Sequence, residues 1–151
     1  MLKYIISDTS CLILFDKIGE LGLLQKIYGE ITTTPEVIRE YGKTMPSWIK
    51  TESVKNKDKQ AELEKSVDNG EASTIALALE LKDCILIIDD KKGRRLALEL
   101  NIEITGTLGT LLKAKRMGII PQLRPLLEKL KAIDYRISTE LVEGVLKRAG
   151  E

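Results

Sequence analysis

Two apolar runs, each ending at an acidic residue, constrain the fold of this chain more than any other feature of its sequence. The run from Cys84 to Ile88 is continuous and is followed directly by Asp89 and Asp90. Such a run is typical of a strand buried on both faces in a parallel sheet. A shorter run, Tyr4 to Ser7, ends at Asp8, where a helical pattern begins. Both segments therefore predict a strand, a turn and a helix.

The rest of the chain alternates between short apolar runs and amphipathic patterns. Strands are predicted over 30–33 and 102–104, with a short edge strand within 43–56, and helices over 11–18, 20–28, 34–41, 57–67, 71–79, 91–100, 108–117, 123–132 and 139–148. A break is expected at residues 68–70 and a turn at 105–107. Strands alternating with helices indicate an α/β fold, a three-layer α/β/α sandwich with a central parallel sheet. The leucines at 123, 126, 127 and 130 predict either a core face or a dimer face.

Length and composition indicate one ordinary domain over residues 1–151. The chain is 43% hydrophobic and 31% charged, and it lacks the roughly 18 consecutive apolar residues of a membrane span. Met1 leads into the first strand without a secretory signal pattern, so we expect a cytoplasmic protein with no membrane contact. Cys11 and Cys84 lie far apart in or beside apolar segments, which favours buried, reduced thiols.

The absence of histidine limits the kinds of catalytic and metal-binding site that this chain can form. It removes the usual general base, the Ser-His dyad and the common histidine-containing zinc sites. Catalysis would have to use carboxylates, lysines, hydroxyls or a metal. The net charge is only +1, from 24 basic and 23 acidic residues, so any nucleic-acid contact has to come from local patches.

Acidic residues follow several strands, and parallel strands end at one edge of a sheet. Asp8 and one of Asp89 and Asp90 are therefore expected to meet in one crevice, where Glu40 and Glu71 are placed to join them. Like charges about 4 Å apart repel by roughly 4 kcal/mol at an effective dielectric near 20. A divalent cation offsets that repulsion, and an all-oxygen ligand set selects Mg²⁺ or Mn²⁺, ions that serve phosphoryl chemistry.

Three of these acids also have a simpler interpretation. Asp8 has the residue type of a helix N-cap, as do its neighbours. Glu40 lies four residues after Glu36, and the pair could form a solvated helix face. Glu71 could only favour the positive end of its helix dipole.

In order along the chain, the motifs resemble those of the PIN-domain family. The similar segments are Asp8-Thr9-Ser10, Val37-Ile38-Arg39-Glu40, Gly70-Glu71-Ala72-Ser73-Thr74-Ile75-Ala76 and Leu86-Ile87-Ile88-Asp89-Asp90-Lys91-Lys92-Gly93-Arg94-Arg95. The closing segment Thr105-Gly106-Thr107-Leu108-Gly109-Thr110-Leu111-Leu112, followed by a lysine-rich helix, is most similar to the VapC-like prokaryotic branch.

The resemblance implies a metal-dependent endoribonuclease (a hydrolase), in many relatives the toxin of a toxin-antitoxin module and often a homodimer. RNA would be the substrate and an antitoxin protein a partner. By resemblance, the catalytic and metal-binding acids are Asp8, Glu40, Glu71 and one or both of Asp89 and Asp90, with Asp90 favoured. Ser10 and Thr107 would support them by hydrogen bonding. Among the cations beside the acid pair, Arg94 and Arg95 are the predicted phosphate contacts.

Two other functions stay open from the sequence. One is a non-catalytic module that binds RNA or a protein on the same scaffold. The other is a receiver-like phosphoacceptor domain, which would want an acidic pair after the first strand, where Ser7-Asp8 supplies a single acid.

Overall fold

Strands and helices alternate along residues 3–151, the part of the chain that the computed structural model describes. Met1 and Leu2, predicted to lead into the first strand, lie outside the described residues. The strands are β1 (Tyr4–Ser7), β2 (Ile31–Thr33), β3 (Ile49–Thr51), β4 (Cys84–Ile87) and β5 (Glu103–Thr105). The helices are α1 (Thr9–Lys17), α2 (Leu21–Tyr28), α3 (Pro35–Tyr41), α4 (Lys57–Leu63), α5 (Asn69–Leu81), α6 (Lys91–Glu99), α7 (Thr107–Arg116), α8 (Arg124–Ala132) and α9 (Thr139–Arg148).

The five strands form one parallel sheet in the order β3-β2-β1-β4-β5. Ile6 of β1 lies beside Thr32 of β2 on one side and Leu86 of β4 on the other. The chain builds outward from β1 in one direction and then returns to add β4 on its opposite side. Ligand crevices of open α/β sheets form at such a reversal, outside the carboxyl ends of the strands. Here Asp8 and the Asp89-Asp90 pair follow the two strands that flank it.

Both faces of the sheet are covered by helices, which confirms the predicted α/β fold with a central parallel sheet. Adjacent β1 residues point to opposite sides: Ile5 packs in one hydrophobic cluster and Ile6 in the other. The first cluster includes Phe15, which is fully buried, and the leucines of α8. Leu123, Leu126, Leu127 and Leu130 are all buried there, so this leucine face belongs to the core.

Most predicted elements begin or end within one or two residues of their observed bounds, and three regions need correction. The predicted break at residues 68–70 is wrong for Asn69 and Gly70, which form the first turn of α5. Asp68 instead caps this helix, because its extended backbone lets its carboxylate accept a hydrogen bond from the N–H of Glu71. The helix predicted over 57–67 ends at Leu63. The predicted turn at 105–107 is shorter, since Thr105 belongs to β5 and Thr107 already begins α7.

Two further findings concern the cysteines and the length and hydrophobicity of the helices. Cys11 and Cys84 are both buried and unbridged, as predicted. Within the described residues, no helix combines the length and the apolar character that crossing a membrane requires.

Candidate active site

Asp8 begins the site, and its two carboxylate oxygens have different environments. Oδ1 caps α1 by accepting a hydrogen bond from the N–H of Cys11 at 3.2 Å. Oδ2 is buried and, within the described residues, has no hydrogen-bond partner. The side chain is only 1% exposed. Burial, followed by the nearby charge of Asp89, raises the pKa of Asp8 to about 7, against the lowering effect of the bond from Cys11. Asp8 is therefore a helix cap that still has one free oxygen.

Glu40 reaches the cluster from the last turn of α3. Its Oε2 accepts a hydrogen bond from the hydroxyl of Thr9 at 3.2 Å. Its carboxylate lies against the backbone of Gly70, where any added Cβ would overlap it. Partial burial is the main reason why the pKa of Glu40 is raised, and the charge of Asp68 contributes. A glycine at position 70 thus lets α3 and α5 bring their acids together.

Glu71 stands in the first turn of α5 next to the cap residue Asp68. Its Oε2 is buried and, like Oδ2 of Asp8, has no partner among the described residues. Burial raises the pKa of Glu71 to about 8, with further contributions from Asp68, Asp90 and Asp8. A Cβ at Gly93 of α6 would lie 2.5 Å from this same oxygen. The charge of Asp68 thus acts on three of the other acids, Asp8, Glu40 and Glu71.

The two acids after β4 are held in different ways. Asp90 caps α6, with its Oδ2 accepting from the N–H of Gly93 at 3.1 Å. Asp89 is bound to α7, because the N–H of Thr107 donates to its Oδ1 at 2.8 Å and the hydroxyl donates to its Oδ2 at 2.5 Å. The thiol of Cys11 also donates to Oδ2, at 3.4 Å. The charge of Asp90 acts on Glu71, whereas the charge of Asp89 acts on Asp8.

The predicted supporting and substrate-binding residues surround these acids. Thr107 is fully buried against Asp89, whereas Ser10 is exposed and lines a cavity together with Asp89 and Asp90. Arg94 donates from Nη1 to the main-chain carbonyl of Ile88 at 2.7 Å and lines a second cavity. Arg95 is exposed on α6.

A family model of the PIN domain matches residues 4–151, nearly the whole chain. The chain belongs to the PIN-domain family. PIN domains are generally nucleases and typically use divalent metals. Searches of curated proteins and of solved structures returned no match.

The acids of this PIN domain suit a hard divalent ion in their chemistry. The acids offer only carboxylate oxygens as ligands, and two of these, on Asp8 and Glu71, are buried and have no partner among the described residues. A buried carboxylate oxygen without a donor is costly, and a bound cation would remove that cost. As the side chains stand, residues 3–151 contain no group of three acidic or cysteine residues arranged as a metal site. Binding an ion therefore requires the carboxylates to turn toward one another.

Sequence reasoning missed three residues of the PIN-domain site. Asp68 was interpreted as a helix breaker, although an aspartate three residues before Glu71 has the spacing of an N-cap. Thr9, rather than Ser10, bonds Glu40. Tyr135, in the α8–α9 loop, lines both cavities beside Asp89. Burial and the charge of Asp89 raise the pKa of its phenol well above the usual range. Nothing in the local sequence around Tyr135 signals this placement, because it depends on how α8 and α9 pack.

Proposed function

We propose that this PIN domain is a Mg²⁺- or Mn²⁺-dependent endoribonuclease that hydrolyses RNA phosphodiesters. The observation that carries the proposal is that, within residues 3–151, two buried carboxylate oxygens at the carboxyl edge of the sheet, on Asp8 and Glu71, have no hydrogen-bond partner. Acids from α3, α5 and the ends of β1 and β4 lie around this edge, and nearby carboxylates contribute to the raised pKa values of Asp8, Glu40 and Glu71. Gathering like charges lowers stability, and a bound cation would offset that cost.

The roles of the residues follow from their contacts. Asp8 and Glu71 would hold the ion, together with Asp90, whose charge acts on Glu71, or Asp89, whose charge acts on Asp8. A bound ion would supply Lewis-acid polarisation of the phosphate and would lower the pKa of a bound water. We assign the Glu40 carboxylate, which Thr9 orients, to accept a proton from the attacking water, since no histidine is present.

Four cations of α6, the helix that Asp90 caps, lie beside the acids and would attract a phosphate group. Lys91 and Lys92 stand in its first turn, and Arg94 and Arg95 follow. Phosphate contacts of this kind position a nucleic-acid backbone without reading its sequence. We therefore assign Arg94 and Arg95 to the RNA backbone near the cut.

Cleavage of single-stranded RNA with added Mg²⁺ or Mn²⁺ tests the proposal. Asp8→Asn keeps the size of the side chain and the helix cap but removes the charge, so we expect a loss of at least 100-fold, as is typical when an essential catalytic group is removed. Asp16→Asn is the matched control, because Asp16 lies on the same helix in a surface pair with Lys43. It should keep full activity.

Equal cleavage by wild type and Asp8→Asn would reject the nuclease proposal. RNA affinity without metal binding in calorimetry, and without cleavage, would favour the alternative of a non-catalytic binding module. Asp89→Asn and Asp90→Asn, compared by Mg²⁺ calorimetry, would identify which acid belongs to the ion.

The toxin assignment, the antitoxin partner and the homodimer rest on the resemblance to the VapC-like branch. We place the activity in the cytoplasm, where its RNA substrate is. Growth arrest on expression of the wild type, absent with Asp8→Asn and relieved by the product of a neighbouring small gene, would support the toxin role. Light scattering on the purified protein tests the dimer.

A further inference from the structure

A second cavity adjoins the acid cluster at Asp89. It has a volume of about 440 Å³ and lies between the start of α6, the β5–α7 junction and α9. Its apolar surface comes from α7 and α9, including Leu112, Leu141 and Val145. Leu141 is 50% exposed, which is unusual for a large aliphatic residue on a helix that otherwise packs on the core. This groove therefore combines a concave shape with uncovered apolar surface.

Three cations line the same groove: Lys91, Arg94 and Arg148. Among residues 3–151, none of them has a carboxylate within salt-bridge distance, although five other lysines do. Arg94 donates one N–H to the carbonyl of Ile88, and a guanidinium has five N–H donors in all. Unpaired cations around an apolar floor complement a ligand that carries both phosphates and flat apolar rings.

Tyr135 joins this groove to the acids. It lines the groove and also the neighbouring cavity of about 390 Å³ that contains Ser10, Asp89 and Asp90. Asp89 and Tyr135 are the two residues that both cavities share. An aromatic ring thus stands at the point where a strand leaving the acid cluster would enter the groove.

We propose that the groove between α6, α7 and α9 is a binding site for single-stranded RNA next to the cleaved phosphate, with Tyr135 stacking on an unpaired base. Lys91, Arg94 and Arg148 hold the flanking phosphates. Bases stack on aromatic side chains with little regard to sequence, and a base held in a duplex has no free face to offer. The site therefore selects single strands. It deepens the proposed function and rests on it for the position of the cut.

The test measures binding apart from cleavage. A fluorescently labelled single-stranded RNA is titrated with the full chain in EDTA, and gels confirm that the RNA stays intact. Loss of one base stack in Tyr135→Ala should weaken binding by roughly 5- to 150-fold, whereas Tyr135→Phe should bind as wild type does. Arg148→Gln should weaken binding several-fold and reduce its salt dependence by about one phosphate contact. Arg116→Gln is the matched control, since Arg116 is exposed in the last turn of α7 and does not line the groove.

A second readout reports stacking directly. A 2-aminopurine base in the RNA should be quenched by wild type and by Tyr135→Phe but not by Tyr135→Ala, and a duplex of the same sequence should bind much more weakly. Circular dichroism of each variant verifies that it is folded. Unchanged affinity in folded Tyr135→Ala, or equal binding of duplex and single strand, would overturn the proposal.

The results also separate this site from the nuclease assignment. Binding that depends on Tyr135, in a protein that cleaves no RNA with either metal, would keep the groove and reject the nuclease. Metal-dependent cleavage in which Tyr135→Ala matches wild type in both affinity and rate would do the reverse.

Discussion

The hydroxyl of Thr107 donates a hydrogen bond of 2.5 Å to Oδ2 of Asp89, and the N–H of the same threonine donates to Oδ1 at 2.8 Å. One residue at the start of α7 thus holds both oxygens of an acid at the end of β4. The first turn of one helix thereby orients a carboxylate that follows a neighbouring strand.

Removing this hydroxyl should loosen Asp89. Thr107→Val keeps the shape of the side chain but removes the shorter of two hydrogen bonds to Oδ2 of the half-buried Asp89, which costs about 1 to 3 kcal/mol of unfolding free energy, as for hydrogen bonds to charged groups. If Asp89 serves the metal, cleavage should fall by about 10- to 100-fold, the usual effect of losing a group that orients a ligand. Urea unfolding and RNA cleavage measure the two effects. Thr107→Ser restores the donor and should recover most of the activity; a serine variant as impaired as valine would contradict the hydrogen-bond argument.

The stability of the metal-free protein should fall as the pH rises from about 4 to about 8. The pKa of Asp8 is raised from 3.8 to about 7 in the folded chain, so the folded state keeps a proton that the unfolded state has already lost. Glu71, with its pKa raised to about 8, acts in the same direction. The stabilisation is complete below the unfolded pKa values and is lost through the folded ones, with a contribution from Asp8 of a few kcal/mol, on the order of 1.4 kcal/mol per pKa unit.

Urea unfolding in EDTA at several pH values measures this loss. Asp8→Asn removes one of the groups whose pKa is raised, so its stability should vary less with pH than that of the wild type. A wild-type stability that rises between pH 5 and 8 would show that the carboxylates are not held in the way described.

Divalent metal should stabilise the folded protein, most strongly at pH 8, where the acids are ionised and repel one another. A ligand present at 100 times its dissociation constant adds about 2.7 kcal/mol. For a chain of this size that corresponds to a rise in Tm of roughly 5–11 °C. Thermal unfolding with Mg²⁺ or Mn²⁺ against EDTA measures it. Asp16→Asn should respond as the wild type does, and Asp8→Asn should lose most of the shift.

Gly93→Ala should damage the site. The new Cβ would lie 2.5 Å from Oε2 of Glu71 and 2.6 Å from Cδ1 of Ile88, which is fully buried. Glu71 can swing away but Ile88 cannot, so we expect a loss of about 1 to 3 kcal/mol in unfolding free energy, as for other overpacked cores, together with reduced cleavage.

Gly144→Ala is the matched control, because Gly144 also lies inside a helix but has open space where a Cβ would be. It should stabilise the protein by about 0.5 to 1 kcal/mol. If Gly93→Ala were equally harmless, the close approach of α6 to Glu71 would be unimportant.

Much of the fold could be predicted because its signals are local. The apolar run of β4 and the Thr34-Pro35 helix start were recognisable, and α9 was predicted with its observed bounds. The break expected at Asn69 and Gly70 is wrong. A glycine is tolerated in this first helical turn because a side chain from another helix occupies the space of its Cβ. Here that space is taken by Glu40, which is 30 residues away in sequence.

The candidate site was predictable only in part. Acids at the ends of β1 and β4 are visible in the sequence, since parallel strands share an edge. The link between Thr107 and Asp89, the position of Asp68 among the other acids, and that of Tyr135 all depend on contacts between distant elements. No local pattern encodes such contacts.

By itself, the sequence determined the order of strands and helices, the oxygen-only set of candidate ligands and the family. Hydrophobic periodicity, residue type and motif order are properties of the chain alone. Tertiary structure decided which group, if any, each carboxylate oxygen contacts. Asp8 caps α1 through Oδ1, as its residue type predicted, and its Oδ2 is left buried and without a partner in the described structure. Burial and the approach of other charges arise only when helices pack around the sheet edge, and they change the pKa of a carboxylate and its affinity for a cation.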